Sequence, residues 1–216
     1  AAATLQLGPA SSLLLQADAS VGALRGDGDL LLDHFTLATG GNQASSRFDG
    51  LVSGGSESGL IKQGLGNFTL GRANTYIGQT RVEAGTLTLA AGGASGVASA
   101  VTLDAGARAV LLADQTWGSL TGAGRVELGA HTLTVGVDDQ STRFTGTLVG
   151  DGGLVKQGLG TLTLAGASSY AGGTTVEAGG FIGYEYIATG GVPYRLRGGV
   201  CTLVSTARLA RTRRPG

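Results

Sequence analysis

Residues 59–87, GLIKQGLGNFTLGRANTYIGQTRVEAGTL, return 94 residues later as GLVKQGLGTLTLAGASSYAGGTTVEAGGF at 153–181. Repetition at a fixed offset constrains a fold more than any local pattern, because both copies must solve one packing problem with the same residues. The shared skeleton is G-L-(I/V)-K-Q-G-L-G-x-(F/L)-T-L, then Tyr, then Gly and Thr, then V-E-A-G. Within it the pattern alternates. Asn67-Phe68-Thr69-Leu70 puts Phe68 and Leu70 on one side of a strand and Thr69 on the other. Residues 80–83 and 86–89 alternate likewise, and Ala84-Gly85 between them is a bend where glycine supplies backbone freedom.

The repeat is longer than its best-matched part. Phe48 leads into residues 59–62 as Phe144 leads into 153–156. Further short runs at 100–103, 107–112, 125–128 and 132–135 are separated by Gly-containing turns. Equivalent strands recur roughly every 19–25 residues, too long for tight hairpins and suited to one coil of a β-solenoid. Composition agrees. There are 41 glycines in 216 residues, against a usual share of about 7%. Apolar residues are 42%, too many for a disordered chain. Gly lacks the strict every-third spacing of collagen. The expectation is an all-β, right-handed parallel β-helix over residues 1–179. It has roughly eight coils stacked about 4.8 Å apart, a rod of about 40 Å.

Charge is uneven. Residues 1–179 hold nine Lys and Arg against fourteen Asp and Glu, while 180–216 hold six Arg and one Glu. A mildly acidic body has no nucleic-acid footprint. Residues 180–216 also contain the single Cys, three of five Tyr and two of three Pro. The motif breaks at Gly179-Gly180. The tail is therefore expected to be irregular and basic, disordered or out of frame, with its arginines solvated. No apolar run approaches 18 residues, so no transmembrane helix is expected.

The residues K-Q-G-L-G-x-(F/L)-T-L, then Tyr, then V-E-A-G-T-L, resemble the autotransporter-associated β-strand repeat of type V secreted passengers from Gram-negative bacteria. The strong matches are residues 59–89 and 153–179. The resemblance implies a parallel β-helix at the cell surface, outer membrane or secreted. It also implies attachment in the full-length protein to a C-terminal outer-membrane β-barrel, and a contribution to adhesion or virulence. The start, AAATLQLGPASS, lacks the basic region and apolar core of a signal peptide, and residues 180–216 cannot supply a barrel. The chain therefore reads as a passenger fragment.

Chemistry is harder to find. His34 and His131 are the only histidines. His131 has the opposite parity to Leu133 and is expected to face solvent, and no serine sits in a G-x-S-x-G context. Asp138-Asp139 and the set Asp27, Asp29 and Asp33 read as turn residues. The single approximate Gly/Asp turn at 25–30 falls short of a tandem calcium-binding repeat. No cofactor and no metal site is expected. Lys62-Gln63 and Lys156-Gln157 read as scaffold: the Lys stems cover apolar edges with the charge in water, and Gln ladders between coils. Tyr76 and Tyr170 pack across a turn, and Trp117 fills a corner or cap. The binding candidate is Arg25-Gly26-Asp27, an RGD tripeptide on a turn that would engage an integrin-type host-cell receptor. The leading expectation is a non-enzymatic, monomeric stalk. The second is an adhesive module through residues 25–27. The third is a polysaccharide-acting β-helix enzyme.

Overall fold

The computed structural model describes residues 3–96, 98–185, 194–196 and 200–205. These residues form strands and turns with no helix. Every strand pair is parallel, and each strand pairs with the strand one coil earlier or later. Three faces result. The first is a nine-stranded sheet running in chain order from Thr4–Leu7 to Ser169–Tyr170. The second is a ten-stranded sheet from Ala19–Val21 to Val200–Ser205. The third face is split: three strands, Ser12–Leu14 to Val52–Ser53, then five, Gln115–Trp117 to Tyr194–Leu196. Each coil visits the first, third and second face in turn.

Nine first-face strands make nine coils, one more than the spacing suggests. Register explains the difference. Partners on adjacent coils lie as little as 17 residues apart (Arg108 and Arg125) and as much as 23 (Thr36 and Gly59), so the coils are tighter than read. Like residues stack into inward columns. Phe48, Leu70, Leu89 and Leu111 form one such column, each at most 1% exposed. No coil buries this face alone, so stability arises between neighbours. Phe181 takes the inward position above Leu162, where the first copy has Leu87 above Phe68. Strand stacking thus runs past Gly179 into Gly180–Glu185 despite the broken motif. The remainder of the tail, 186–193, 197–199 and 206–216, lies outside the described residues.

The third face is interrupted in the fourth and fifth coils, where residues 71–78, 90–96, 98 and 99 form no strand. Side chains take over the missing ladder. Asn74 Oδ1 accepts the Val52 amide at 2.7 Å, and its Nδ2 donates to Ala94 O at 2.5 Å. Gln115 Oε1 accepts the Ala94 amide at 3.1 Å, and its Nε2 donates to Ala91 O at 2.7 Å. A buried hydroxyl cluster lies beneath. Tyr76 bonds Thr80 at 2.7 Å, Thr80 bonds Ser99 at 3.1 Å, and Trp117 Nε1 donates to Ser95 Oγ at 2.8 Å. Trp117 ends the strand Gln115–Trp117 and is fully buried, so its bulk fills the core beneath this face rather than a cap.

The two repeat copies do not lie on the same faces. Asn67–Leu70 is on the first face in the fourth coil, and its counterpart Thr161–Leu164 is on the second face in the eighth. Gly59–Lys62 is on the second face, whereas Leu154–Lys156 is on the third. The offset therefore spans four coils and two further faces, and the second copy is rotated by one face.

Candidate functional site

The repeat corners come first, because they decide which residues remain free for other work. Lys62 ends a second-face strand and is 1% exposed. Its ammonium donates to Gln63 O at 2.6 Å, Gly64 O at 2.8 Å and Ala84 O at 3.2 Å. Lys156 repeats the device on the third face, donating to Gln157 O and to Gly158 O at 2.9 Å. The expectation that these charges stand in water is corrected: each ammonium is folded inward as a cap on corner carbonyls. The reason is that the tight corner turns several C=O groups the same way, and a buried carbonyl without a donor is costly. Desolvation lowers both lysine pKa values, that of Lys62 to about 8.

The following residues build the rest of the corner. Gln63 Nε2 donates to Glu83 Oε2 at 3.1 Å, and Gln157 Nε2 to Glu177 Oε2 at 2.8 Å. The K-Q and V-E segments of the motif are thus partners one coil apart. Gly64 and Gly158 have φ of 67° and 68°. A Cβ on Gly158 would lie 1.8 Å from Gly136 O, so neither a side chain nor ordinary φ fits there. Asp139 Oδ1 accepts the Leu159 amide at 2.7 Å, as Gln43 Oε1 accepts that of Leu65. Asp138 Oδ1 accepts the Gln140 amide at 3.0 Å. This carboxylate pair is engaged in turn construction. Tyr170 bonds Thr174 as Tyr76 bonds Thr80.

The RGD tripeptide ends the strand Ala23–Gly26 on the first face. Arg25 and Asp27 are exposed. Arg25 Nη2 donates to Ser45 O at 2.7 Å, and the Asp27 and Gly28 amides both donate to Leu7 O. Gly26 has φ of 106°, and a Cβ there would sit 1.8 Å from Leu7 O. The same corner recurs at Gly122, with φ of 102° and with the Ala123 and Gly124 amides on Leu103 O. Stacking therefore accounts for the glycine, and Arg25 also bonds across to the next coil through Ser45 O, while the Asp27 side chain stands exposed.

The histidines lie in different coils. His34 pairs with Asp33 at 2.9 Å and its ring meets Phe35 at 4.0 Å; His131 lies 3.8 Å from Asp114. Neither bonds a hydroxyl among the described residues, so no nucleophile and base are brought together. Asp27, Asp29 and Asp33 do not converge: among the described residues no group of three or more His, Cys, Asp and Glu is gathered for a metal ion. A hollow of about 260 Å³ opens on the second face beside the turn at 54–58. No pattern in the sequence marks it, because its walls come from three coils.

Two comparisons bear on this scaffold. The passenger-associated-transport-repeat family model matches residues 60–89 and 154–181. The chain is 40% identical over 153 residues to the adhesin BmaC autotransporter of Brucella suis biovar 1 (strain 1330). That match covers 67% of this chain and only 4% of the relative's length. No solved structure matches the chain.

Proposed function

We propose that this chain, a repeat-bearing segment of an autotransporter passenger located at the bacterial cell surface, in the outer membrane or secreted, acts as a non-enzymatic shaft presenting other parts of its protein. The observation that carries this reading is how fully the shared motif is occupied in stacking. Lys62, Gln63, Gly64, Phe68, Leu70, Tyr76 and Glu83 all bond or pack within the solenoid. A surface composed this way holds a length and a direction, which suits display. In the full-length protein the segment is joined to a C-terminal outer-membrane β-barrel and stays monomeric. It contributes to attachment to a host-cell receptor, and through attachment to virulence. The adhesin name of the relative supports that contribution.

A second reading, an adhesive module at Arg25-Gly26-Asp27, is favoured by the exposure of Arg25 and Asp27 on either side of a corner. One experiment separates the two. In the full-length passenger, residues 67–107 are removed, two whole coils between the register-matched Asn67 and Arg108. Host-cell attachment is expected to fall with the shortened shaft, and to be unchanged in Arg25→Ala and Asp27→Glu. The opposite pattern would replace the shaft by the adhesive module. Gly26→Ala is no substitute in this test, because it strikes the stacking itself.

A further inference from the structure

The second-face hollow is not required by the solenoid. It lies over three successive coils, at Thr36, Gly59 and Gln79 in one outward column and at Ile61 and Arg81 in the next. Gly59 creates the depth: a Cβ there would come 2.7 Å from Thr36 Oγ1. The turn carrying Ser56 and Glu57 overhangs one side. The half-buried Ile61 lies within it. The second repeat copy keeps the glycine, as Gly153, but has Gly173 and Thr175 where the first has Gln79 and Arg81. The glycine is explained by stacking; of the polar walls, the Glu57 carboxylate has a counterpart in Asp151, whereas Gln79 and Arg81 have none.

The lining selects among ligands. Arg81 is committed to Asp104 through contacts of 2.8 to 3.3 Å, so it offers no free positive charge to a phosphate or sulfate. The exposed Glu57, which has no ion-pair partner among the described residues, would repel an anion. One carboxylate is too few for a metal ion. Hydroxyl, amide and carboxylate groups exclude a purely apolar ligand. The volume, about 260 Å³, falls just below the range for drug-sized molecules. We propose that this hollow binds a single neutral pyranose ring of a glycan. The Glu57 carboxylate accepts from vicinal hydroxyls, Gln79, whose Nε2 is bonded to Thr102 Oγ1 at 3.2 Å, offers its Oε1 to a further hydroxyl beside Ser56, and the C–H face of the ring lies on Ile61. This is separate from the shaft role and does not depend on the tripeptide at 25–27. A shallow open hollow with one apolar contact binds weakly and gains strength when many copies meet a multivalent surface.

The test is a backbone amide NMR titration of the described chain with the methyl glycosides of glucose, galactose and N-acetylglucosamine. Saturable shifts in the millimolar range are expected for at least one of them, confined to residues 36, 56–61 and 79–81. Glu57→Gln is expected to weaken that binding about tenfold, and Gln79→Ala to weaken it further. Both positions are exposed, so the remaining spectrum should stay superimposable and report an intact fold. The counterpart corner at 151–155 is the internal control. Absence of shifts with all three sugars, or equal shifts at 151–155, would overturn the proposal.

Discussion

At the residue scale, the informative side chain is the buried lysine of the repeat corner. Lys62 does not neutralise a carboxylate; it supplies donors to backbone carbonyls that the corner has turned inward. Lys62→Met should leave those acceptors unmatched and cost about 2 kcal/mol in a denaturant melt. The same residue makes stability depend on pH. Its pKa falls from 10.5 to about 8 on burial, so the folded chain releases this proton before the unfolded chain does. Between those two values the unfolded state binds more protons, and unfolding free energy should rise with pH. Lys62→Met should flatten that rise without abolishing it, because Lys156 is lowered by the same desolvation. An unchanged slope in the variant would remove Lys62 from the titration. The motif K-Q-G showed that something repeats here, but not the inward fold of the ammonium. Sequence pattern cannot show where carbonyl oxygens converge.

At the scale of elements, the interrupted third face is the feature to test. Its two sheets are separated by coils in which side-chain amides replace strand hydrogen bonds. Backbone groups there depend on single side chains. Asn74→Ala should therefore cost about 2 kcal/mol and speed hydrogen exchange at Val52 and through 90–99. Exchange at Phe68 to Leu70 and Leu87 to Leu89, inside the continuous first sheet, should stay slow. Uniform acceleration across the rod would mean that Asn74 supports the whole molecule rather than this break. The strands themselves were legible. The alternation of Asn67-Phe68-Thr69-Leu70 places Phe68 and Leu70 inside as found, with Thr69 covered by a bond from Asn67. The break was not legible, because Asn74 and Gln115 are far apart in sequence and no local pattern joins them to the backbone groups they satisfy.

At the scale of the molecule, the rotation of the second copy carries the main lesson. Leu65 and Leu159 are equivalent corner residues, both 78% exposed. Four coils and two faces separate them along the rod, about 22 Å by the strand spacing. Spin labels at these positions should report a separation clearly longer than that axial distance, since the two corners differ by one face. A separation equal to the axial distance would place both copies on one corner and contradict the register.

The sequence by itself determined the class of fold, the coil as its unit, the inward and outward alternation, and the family from which such repeats come. These follow from local chemistry: period-two burial and glycine at corners look the same wherever they occur along the chain. Only the tertiary structure decided the faces on which the copies lie, the inward turn of Lys62 and Lys156, and the hollow over Gly59. Face depends on the accumulated length of every intervening coil, which varies from 17 to 23 residues between register partners. A corner or hollow is built from residues about a coil apart, and the stacking that joins them leaves no local mark in the chain.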